Sequence, residues 1–519
     1  MIIIIFCQGK NTYTTGFEGP WTGNPTVWGN FYFNNLINFK WVLTQSPAGK
    51  HQWMIENAPN SVLATFMMLT SDIALLHDPL NSYQELVKLF AKDLSYLDDV
   101  FSHAWYKLTT RDMGPVSRCV GPNVPPPQAF QHPLPPPPAA SQLPNWSKVR
   151  TAVRTVMRTR SPASSPDIVD GQPYYGAMFV HLAFACAATF RRTDYQGGCN
   201  GARIRFPPEK DWSVNVGLYS IKQVLQPVKS QFGKGLTWSD LIVFAAQVAI
   251  EDASGLSLPF CPGRSDAAYG DGSSFTSPPI SLNYSASILQ IEEQLQLSGL
   301  SWSHTVALQA RLRSPVLMNL QGFGYHKNTY TNDPSVLSNQ YFRTLVSGWD
   351  AGNWTEVTSS QGRREYKLLG QAEPIFMTPS DLNAFYSEDL QPIAIQLASD
   401  NNLFLQTFAA AWTSLMSLDR FNGPSGNLCP PYEPPVAICL KKECSDNPEG
   451  CVTGTVCSKS AKDGRSYCVD ETTVYGKSSN NENCVALLKS GCGTAAGQSC
   501  CNPAAICQKG QCILPYSCA

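Results

Sequence analysis

The chain has 519 residues, of which 43% are hydrophobic and 15% are charged, so it can build real cores and wholesale disorder is excluded. Its 38 basic and 39 acidic residues leave a net charge of −1 without a strong basic run, which argues against nucleic-acid binding through phosphate neutralisation. At about 150 residues per domain, the length predicts two to four domains.

The chain begins with a short apolar run. Residues 1–7 read MIIIIFC, which is too short for a membrane span and short for the core of a signal peptide. No other stretch approaches 18 apolar residues, so we expect no membrane span. The cysteine-rich end of the chain nevertheless favours an oxidising compartment and predicts secretion. One explanation is that the true N-terminus is missing from this sequence.

An internal repeat runs through the chain. Residues 25–36 read PTVWGNFYFNNL and residues 334–345 read PSVLSNQYFRTL, with six identical positions at an offset of 309. The further matched blocks are residues 68–72 with 377–381 at the same offset, and residues 101–112 with 408–419 at an offset of 307. Three blocks in register predict two related structural units.

The two copies differ in completeness. Well-patterned sequence from about residue 145 to residue 332 precedes the second copy, whereas almost nothing precedes residue 25. The first copy therefore lacks a front half of roughly 180 residues. Because a half-domain would leave its core open to water, we expect either a fragment of a longer protein or a partner that supplies the rest.

A proline-rich segment separates two mainly helical regions. Residues 122–144 hold ten prolines, and since proline favours extended structure this segment predicts an interdomain linker. Thr237 and Thr378 each precede a helix-start pattern, the second with a proline at the first helical position. Residues 285–297 and 403–418 also have helical spacing, and alternation typical of strands is scarce. These patterns predict a mainly α body with long loops.

The cysteines concentrate at the end of the chain. Of 18 cysteines, 13 lie at or after Cys429, in the last 91 residues, which is typical of a disulfide scaffold. Their order resembles knottin-type disulfide modules, but the pairing cannot be deduced from spacing. No C-x-x-C pair occurs, so zinc is the minor alternative. Because thirteen is odd, at least one of these thiols is free, pairs outside the tail or pairs with another chain.

Several motifs of the body resemble those of bifunctional catalase-peroxidases. In the first copy these are Trp21-Thr-Gly-Asn-Pro25, WVLTQSPAG at residues 41–49, MMLTSD at 67–72 and TRDMGP at 110–115. In the second copy they are GGCNGARIR at 197–205, LTWSDLI at 236–242 and PGRSD at 262–266. The resemblance extends from about residue 9 to Phe421, in two copies, and excludes the tail.

The resemblance implies tandem helical peroxidase-like domains, of which the N-terminal one binds haem b and the C-terminal one does not. With the repeat, it predicts four parts. They are the back half of an N-terminal haem-peroxidase domain (1–121), a proline-rich linker (122–147), a haem-free peroxidase-like domain (148–424) and a cysteine-rich disulfide tail (425–519). The fold class is therefore predicted to be mainly α with a small disulfide-rich tail.

Four residues of the first copy match functional positions of the family. Trp21 matches the tryptophan beside the proximal histidine, and Asp72 matches the aspartate bonded to that histidine. Arg111 matches the mobile arginine that serves catalase activity, and Thr15 matches a small hydroxyl residue at the haem edge. We therefore predict catalytic roles for Arg111, Trp21 and Asp72, and cofactor binding by Thr15, Trp21 and Asp72, with no separate metal site.

The main catalytic groups of the family are absent from this sequence. The distal Arg-x-x-Trp-His set, the proximal Gly-Gly-His motif and the cross-linked Trp-Tyr-Met adduct all precede the family's equivalent of residue 9. Because haem iron needs a proximal histidine, we expect this chain alone to bind no haem. The resemblance also implies a homodimer, although in the family that contact depends on the missing N-terminal half.

The second copy serves as a control. His181-Leu-Ala-Phe184-Ala185 stands where the haem domain has its distal motif, Tyr330 replaces Trp21 and Leu418 replaces Arg111. We therefore expect no haem in this copy. Simpler interpretations remain for the sites of the first copy: Asp72 as a helix-start carboxylate, Trp21 as a core aromatic and Arg111 as half of a surface ion pair.

Two functions follow as hypotheses. In the first, the parent protein is a haem catalase-peroxidase that dismutates hydrogen peroxide and oxidises small electron donors, and this chain is its incomplete, inactive C-terminal part. In the second, the chain is a non-catalytic secreted scaffold whose cysteine-rich tail binds or anchors to an unknown ligand. The sequence upstream of Met1 discriminates between them, since an in-frame distal and proximal histidine motif would favour the enzyme.

Overall fold

The computed structural model describes most of the body and a few strands of the tail. The described residues are 15–80, 82–273, 276–279, 282–324, 330–331, 335–350, 352–371, 375–421 and seven short strands between residues 439 and 513. The chain divides into two compact units, residues 1–111 and residues 112–519. Within the described residues, no helix is both long enough and apolar enough to span a membrane.

The first unit combines short helices with one small sheet. Its helices are α1 (Phe31–Asn38), α2 (Thr70–Ala74), α3 (Ser82–Lys92) and α4 (Leu94–Thr110). Its strands are β1 (Trp41–Gln45), β2 (His51–Ile55) and β3 (Met67–Met68) in an antiparallel sheet of order β1-β2-β3. A small core gathers around Leu36, Met68, Ile73 and Val87.

The second unit is larger and mainly helical. Its helices are α5 (Trp146–Met157), α6 (Gly176–Ala187), α7 (Leu218–Val224), α8 (Gln226–Phe232), α9 (Trp238–Ser254), α10 (Ile288–Ser298), α11 (Trp302–Gln309), α12 (Pro315–Leu320), α13 (Gln340–Asp350), α14 (Pro379–Tyr386), α15 (Gln391–Ser399) and α16 (Asn401–Leu415). Its strands are β4 (Asp167–Val169), β5 (Gln172–Tyr174), β6 (Trp354–Thr358), β7 (Arg364–Leu368) and β8 (Phe376–Met377). The mainly α fold class predicted from the sequence is confirmed.

Two helices form the centre of the second unit. All twelve residues of α6 are buried, and in α9 only Asp252 and Ser254 are not. A helix that is apolar nearly all round can only lie inside a core, and α6 and α9 pack against each other. The predicted helix starts are confirmed, since Thr237 accepts from the Asp240 amide to begin α9 and Thr378 accepts from the Asp381 amide to begin α14.

The structural repeat includes a hairpin that the sequence patterns did not predict. In β1–β2, Trp41 pairs with Ile55, and in β6–β7, Trp354 pairs with Leu368. Both turns close on a glycine with positive φ, Gly49 at +76° and Gly362 at +84°, a region that favours glycine because it lacks Cβ. The expectation of scarce strands therefore missed the sheet β1-β2-β3 of the first unit and its counterpart β6-β7-β8 in the second.

The described cysteines of the body are mostly oxidised. Cys186 and Cys199 form a disulfide that joins the end of α6 to the following loop. Cys261 is also disulfide-bonded, to a cysteine outside the described side chains, while Cys119 is a free thiol. The predicted disulfide framework of the tail concerns side chains outside the described residues.

The described backbone of the tail consists of short strands. They are β9 (Cys439–Glu443), β10 (Thr455–Lys459), β11 (Ser466–Asp470), β12 (Cys484–Val485), β13 (Ser499–Cys500), β14 (Ile506–Gln508) and β15 (Gln511–Ile513). β9, β10 and β11 form one sheet, and the remaining four strands pair two by two.

Candidate functional site

Asp72 organises the candidate site of the first unit. It lies in the first turn of α2, and its Oδ2 accepts hydrogen bonds from the Trp21 indole Nε1 at 2.8 Å and from the Leu69 backbone amide at 2.7 Å. Its Oδ1 accepts from the Tyr32 hydroxyl at 2.8 Å. Three donors fix the carboxylate in one orientation, and Asp72 remains half-buried.

Tyr32 is a member of this network that sequence analysis did not identify. Burial, and then the neighbouring charge of Asp72 and the hydrogen bond to it, raise the pKa of the Tyr32 hydroxyl well above its usual value, so it stays protonated and donates. One sequence pattern could have found it, because Tyr32 and Tyr341 are identical at the offset of 309 that relates Asp72 to Asp381.

The helix-start interpretation of Asp72 accounts for only part of its contacts. The hydrogen bond from Leu69 is a helix-start contact, whereas Trp21 and Tyr32 reach the same carboxylate from 51 and 40 residues away in the sequence. Trp21 also packs beside the core of the unit. Asp72 therefore caps α2 and orients two aromatic side chains at the same time.

The two other predicted site residues lie outside this network. Arg111 is the exposed C-cap residue of α4, and Thr15 is exposed with its hydroxyl against the backbone of Phe17. The hydrogen bonds described around Asp72 include neither residue. The structure thus brings together two of the four predicted residues, and the roles of all four stay predictions.

The second unit contains a counterpart network with a different partner. Asp381 Oδ1 accepts from the Tyr341 hydroxyl at 2.9 Å, as Asp72 does from Tyr32. Arg313 binds the carboxylate in a bidentate manner, with Nη1 at 2.8 Å from Oδ2 and Nη2 at 2.6 Å from Oδ1. Tyr330, which replaces Trp21, donates instead to the backbone carbonyl of Arg311. The guanidinium has thus taken over the donor position that the indole holds in the first unit.

Charge holds Asp381 ionised inside the protein. Asp381 and Arg313 are both almost completely inaccessible to solvent. Burial alone would raise the pKa of Asp381, but the Arg313 guanidinium, together with hydrogen bonds from Thr378, holds it below its usual value. Arg313 also lies over the rings of Tyr330 and Tyr341, at 4.9 and 5.9 Å from their centroids. The pair is therefore a buried, well-bonded salt bridge.

His181 lies in the same buried region. Its Nδ1 is 3.5 Å from the Tyr284 hydroxyl, and its Nε2 has no hydrogen-bond partner among the described residues. Burial first, and then the charges of Arg311 and Arg313, lower the pKa of His181 to about 3. The imidazole therefore stays neutral at ordinary pH and does not take up a second proton there.

This pKa shift predicts a pH-dependent stability for the second unit. The unfolded chain takes up a proton on His181 below its ordinary pKa of 6.5, whereas the folded protein does so only near 3. The contribution of the neutral His181 to the free energy of unfolding is complete above pH 6.5. It is lost as the pH falls, and the free energy of unfolding is lower by roughly 2 kcal/mol at pH 5. Urea unfolding of the wild type and of His181→Asn at pH 7.5 and pH 5 measures it: the variant should lose less stability between the two.

Comparison with known proteins identifies the class. The helical second unit carries, at Asp381, a copy of the aspartate network of the first unit, and the peroxidase family model matches residues 149–400. The second unit is thus a peroxidase-type domain, and the chain contains a related copy of its later half.

Relatives over most of the chain narrow this class. A catalase-peroxidase of Pseudomonas entomophila is 33% identical over 447 residues, covering 80% of this chain and 57% of the relative. The catalase-peroxidases of Rhodopseudomonas palustris and Gloeobacter violaceus are each 34% identical to this chain over 80% of its length. The matched regions make up 58% and 59% of these two relatives, respectively. The chain is a catalase-peroxidase-like member of the peroxidase family. It spans somewhat more than half the length of the relatives it matches.

Proposed function

We propose that the chain belongs to a haem catalase-peroxidase that dismutates hydrogen peroxide and oxidises small electron donors. In this proposal the first unit supplies the Asp72 side of the haem pocket, and the second unit is the haem-free domain. The observation that supports this proposal is the difference in hydrogen-bonding capacity between the two matched aspartates, Asp72 and Asp381.

The hydrogen-bond donors around Asp72 leave this carboxylate able to accept one further hydrogen bond from a histidine that ligates iron. A carboxylate offers about four lone-pair positions. Leu69, Trp21 and Tyr32 occupy three of those on Asp72, so one would remain for the N–H of an iron-ligating imidazole. A carboxylate that accepts from a ligating histidine fixes the ring and raises its basicity. When bound, the haem would supply the redox chemistry, and Asp72 would orient the histidine that ligates the iron.

Asp381 has no such capacity. Its two oxygens already accept five hydrogen bonds, two from Arg313, two from Thr378 and one from Tyr341. An imidazole could hydrogen-bond to Asp381 only by displacing the Arg313 guanidinium. The displaced guanidinium would then be a buried cation separated from its carboxylate and close to a second buried cation, Arg311. This supports the assignment of the second unit as the haem-free domain.

The axial histidine itself must come from elsewhere. The histidines of the first unit within the described residues are His51, His77 and His103, which are all exposed, and none is bonded to Asp72. We therefore infer that the 519-residue chain alone does not turn over peroxide.

Reconstitution tests the proposal. The N-terminal part of the Pseudomonas entomophila relative, up to its counterpart of residue 14, is fused before residue 15, and haem is added. The fusion should show a haem Soret band and evolve oxygen from peroxide, and the chain alone should do neither beyond free haem. In the fusion, Asp72→Asn should lower activity about 10- to 100-fold.

Asp99→Asn, an exposed carboxylate of the same unit, serves as the matched control and should leave activity unchanged. Peroxide turnover by the chain alone, or a fusion that binds haem and is indifferent to Asp72→Asn, would contradict the proposal.

The second candidate function is a non-catalytic secreted scaffold. The observation that favours it is the oxidised state of Cys186, Cys199 and Cys261 in the body, next to a tail with 13 cysteines. Cysteine-rich modules of this kind are typical of secreted proteins, so we also propose secretion. Thiol counting before and after reduction checks it, since a mostly reduced chain from its natural source would exclude an oxidising compartment.

A further inference from the structure

The last helix of the first unit leaves its apolar side in water. Among the 17 residues of α4, only Leu97 is buried. Phe101, Trp105 and Leu108 are 37%, 46% and 67% exposed. Trp28 is 50% exposed and extends the same surface, because its ring lies 4.4 Å from that of Phe101, which in turn stacks on Trp105 at 6.0 Å. We call these four side chains the α4 face.

The second unit shows what this surface looks like when it is covered. The offset of 307 relates Phe101, Trp105 and Leu108 to Phe408, Trp412 and Leu415 of α16, with the same residue type at each position. Those three are 0%, 2% and 3% exposed. Since the amino acids are identical, the difference in exposure arises from the segments that pack over the helix.

The covering segments precede the repeated region in sequence. α11 packs directly against α16. The carbonyl of Ala253, at the end of α9, accepts at 3.0 Å from the amide of Leu337, which is the counterpart of Trp28 and is 2% exposed. Both covering helices belong to residues 146–320, the front half of the second unit, for which the first unit has no counterpart in this sequence.

We propose that the α4 face is a docking surface for a peroxidase front half, a polypeptide of the kind that residues 146–320 form in the second unit. Its counterparts of α9 and α11 would pack on Trp28 and on Phe101, Trp105 and Leu108, respectively. A contiguous apolar patch of this kind marks an interaction site rather than an ordinary surface. The proposal deepens the proposed function and rests on it, because the same polypeptide would present the axial histidine to Asp72.

The second unit favours a front half over a second copy of the chain as this partner. Ala104 lies between Phe101 and Trp105 in sequence and corresponds to Ala411, which is completely buried. A small residue among large ones lets another helix approach closely, as α11 approaches α16. In the second unit this fit is made by the front half of the same domain and not by a copy of the repeat.

The test measures association without haem. The full 519-residue chain is mixed with the separately produced N-terminal part of the Pseudomonas entomophila relative, up to its counterpart of Trp21. Titration calorimetry should give a one-to-one complex, and amide exchange in residues 94–110 should slow at least ten-fold. Trp105→Asp and Leu108→Asp should each weaken binding at least 100-fold. Both positions are exposed, so the chain should keep its circular dichroism.

Leu80→Asp is the matched control, because Leu80 is 85% exposed and lies outside the α4 face. It should bind like the wild type. No association, association that ignores Trp105→Asp, or a dimer of the chain that hides residues 94–110 would each overturn the proposal. A complex that forms but binds no haem when haem is then added would contradict the proposed function and leave the docking surface standing.

Discussion

Replacing Arg313 by methionine should lower the free energy of unfolding of the second unit by about 3–5 kcal/mol. The pair it forms with Asp381 is inaccessible to solvent, and both contacts are short, at 2.6 and 2.8 Å. Without the guanidinium, Asp381 becomes a buried charge whose remaining donors are Tyr341 and Thr378. Urea unfolding, with amide exchange of α14 to assign the transition to this unit, measures the loss.

A double variant separates the cost of an orphaned charge from the value of the pair. Arg313→Met with Asp381→Leu removes both charges, and replacing a buried pair by apolar residues is often neutral or stabilising. We therefore expect the double variant to recover much of the stability lost by the single one. A single variant that loses less than about 1 kcal/mol would show instead that water reaches Asp381.

The parts of the fold that the sequence predicted depend on local chemistry. Thr237 and Thr378 each accept a hydrogen bond from the amide three residues on, so a short segment of sequence is enough to specify the start of the helix. The hairpins β1–β2 and β6–β7 could not be predicted from a short segment of sequence in this way. The strands β1 and β6 are partly exposed on both faces, so their sequences lack the alternation that indicates a strand.

The candidate site was only partly predictable for a related reason. The family pattern placed Trp21 and Asp72 each beside the proximal histidine, and the structure has both residues in one network. Arg313 has no such pattern, because a single arginine before a helix is ordinarily exposed. That it reaches Asp381, 68 residues later, follows only from the tertiary structure of the second unit.

Exposure cannot be predicted from the repeat at all. The apolar pattern of α4 and α16 is the same at the matched positions, and a pattern predicts which side of a helix seeks cover. It does not say whether a covering segment is present. Trp105 and Trp412 therefore look alike in sequence and differ in the structure.

The difference in exposure between Trp105 and Trp412 predicts that the same substitution destabilises the two units by unequal amounts. Trp412→Ala should destabilise the second unit by about 3–5 kcal/mol, because a large buried side chain leaves a cavity. Within the described part of the chain, the Trp412 indole Nε1 has no hydrogen-bond partner, so the loss is one of packing, including the stacked ring of Phe408 at 6.1 Å. Trp105→Ala should cost the first unit less than about 1 kcal/mol, as for a surface substitution.

The two variants check each other, since the residue type and its helix position are matched. Because the units unfold separately in principle, amide exchange of α4 and α16 is a better measure than a single melting temperature. Equal costs would mean that Trp105 is covered in solution, which would contradict the exposed α4 face. If the front half docks as proposed, adding it should raise the cost of Trp105→Ala toward that of Trp412→Ala, because the same side chain would then lie in the same kind of core.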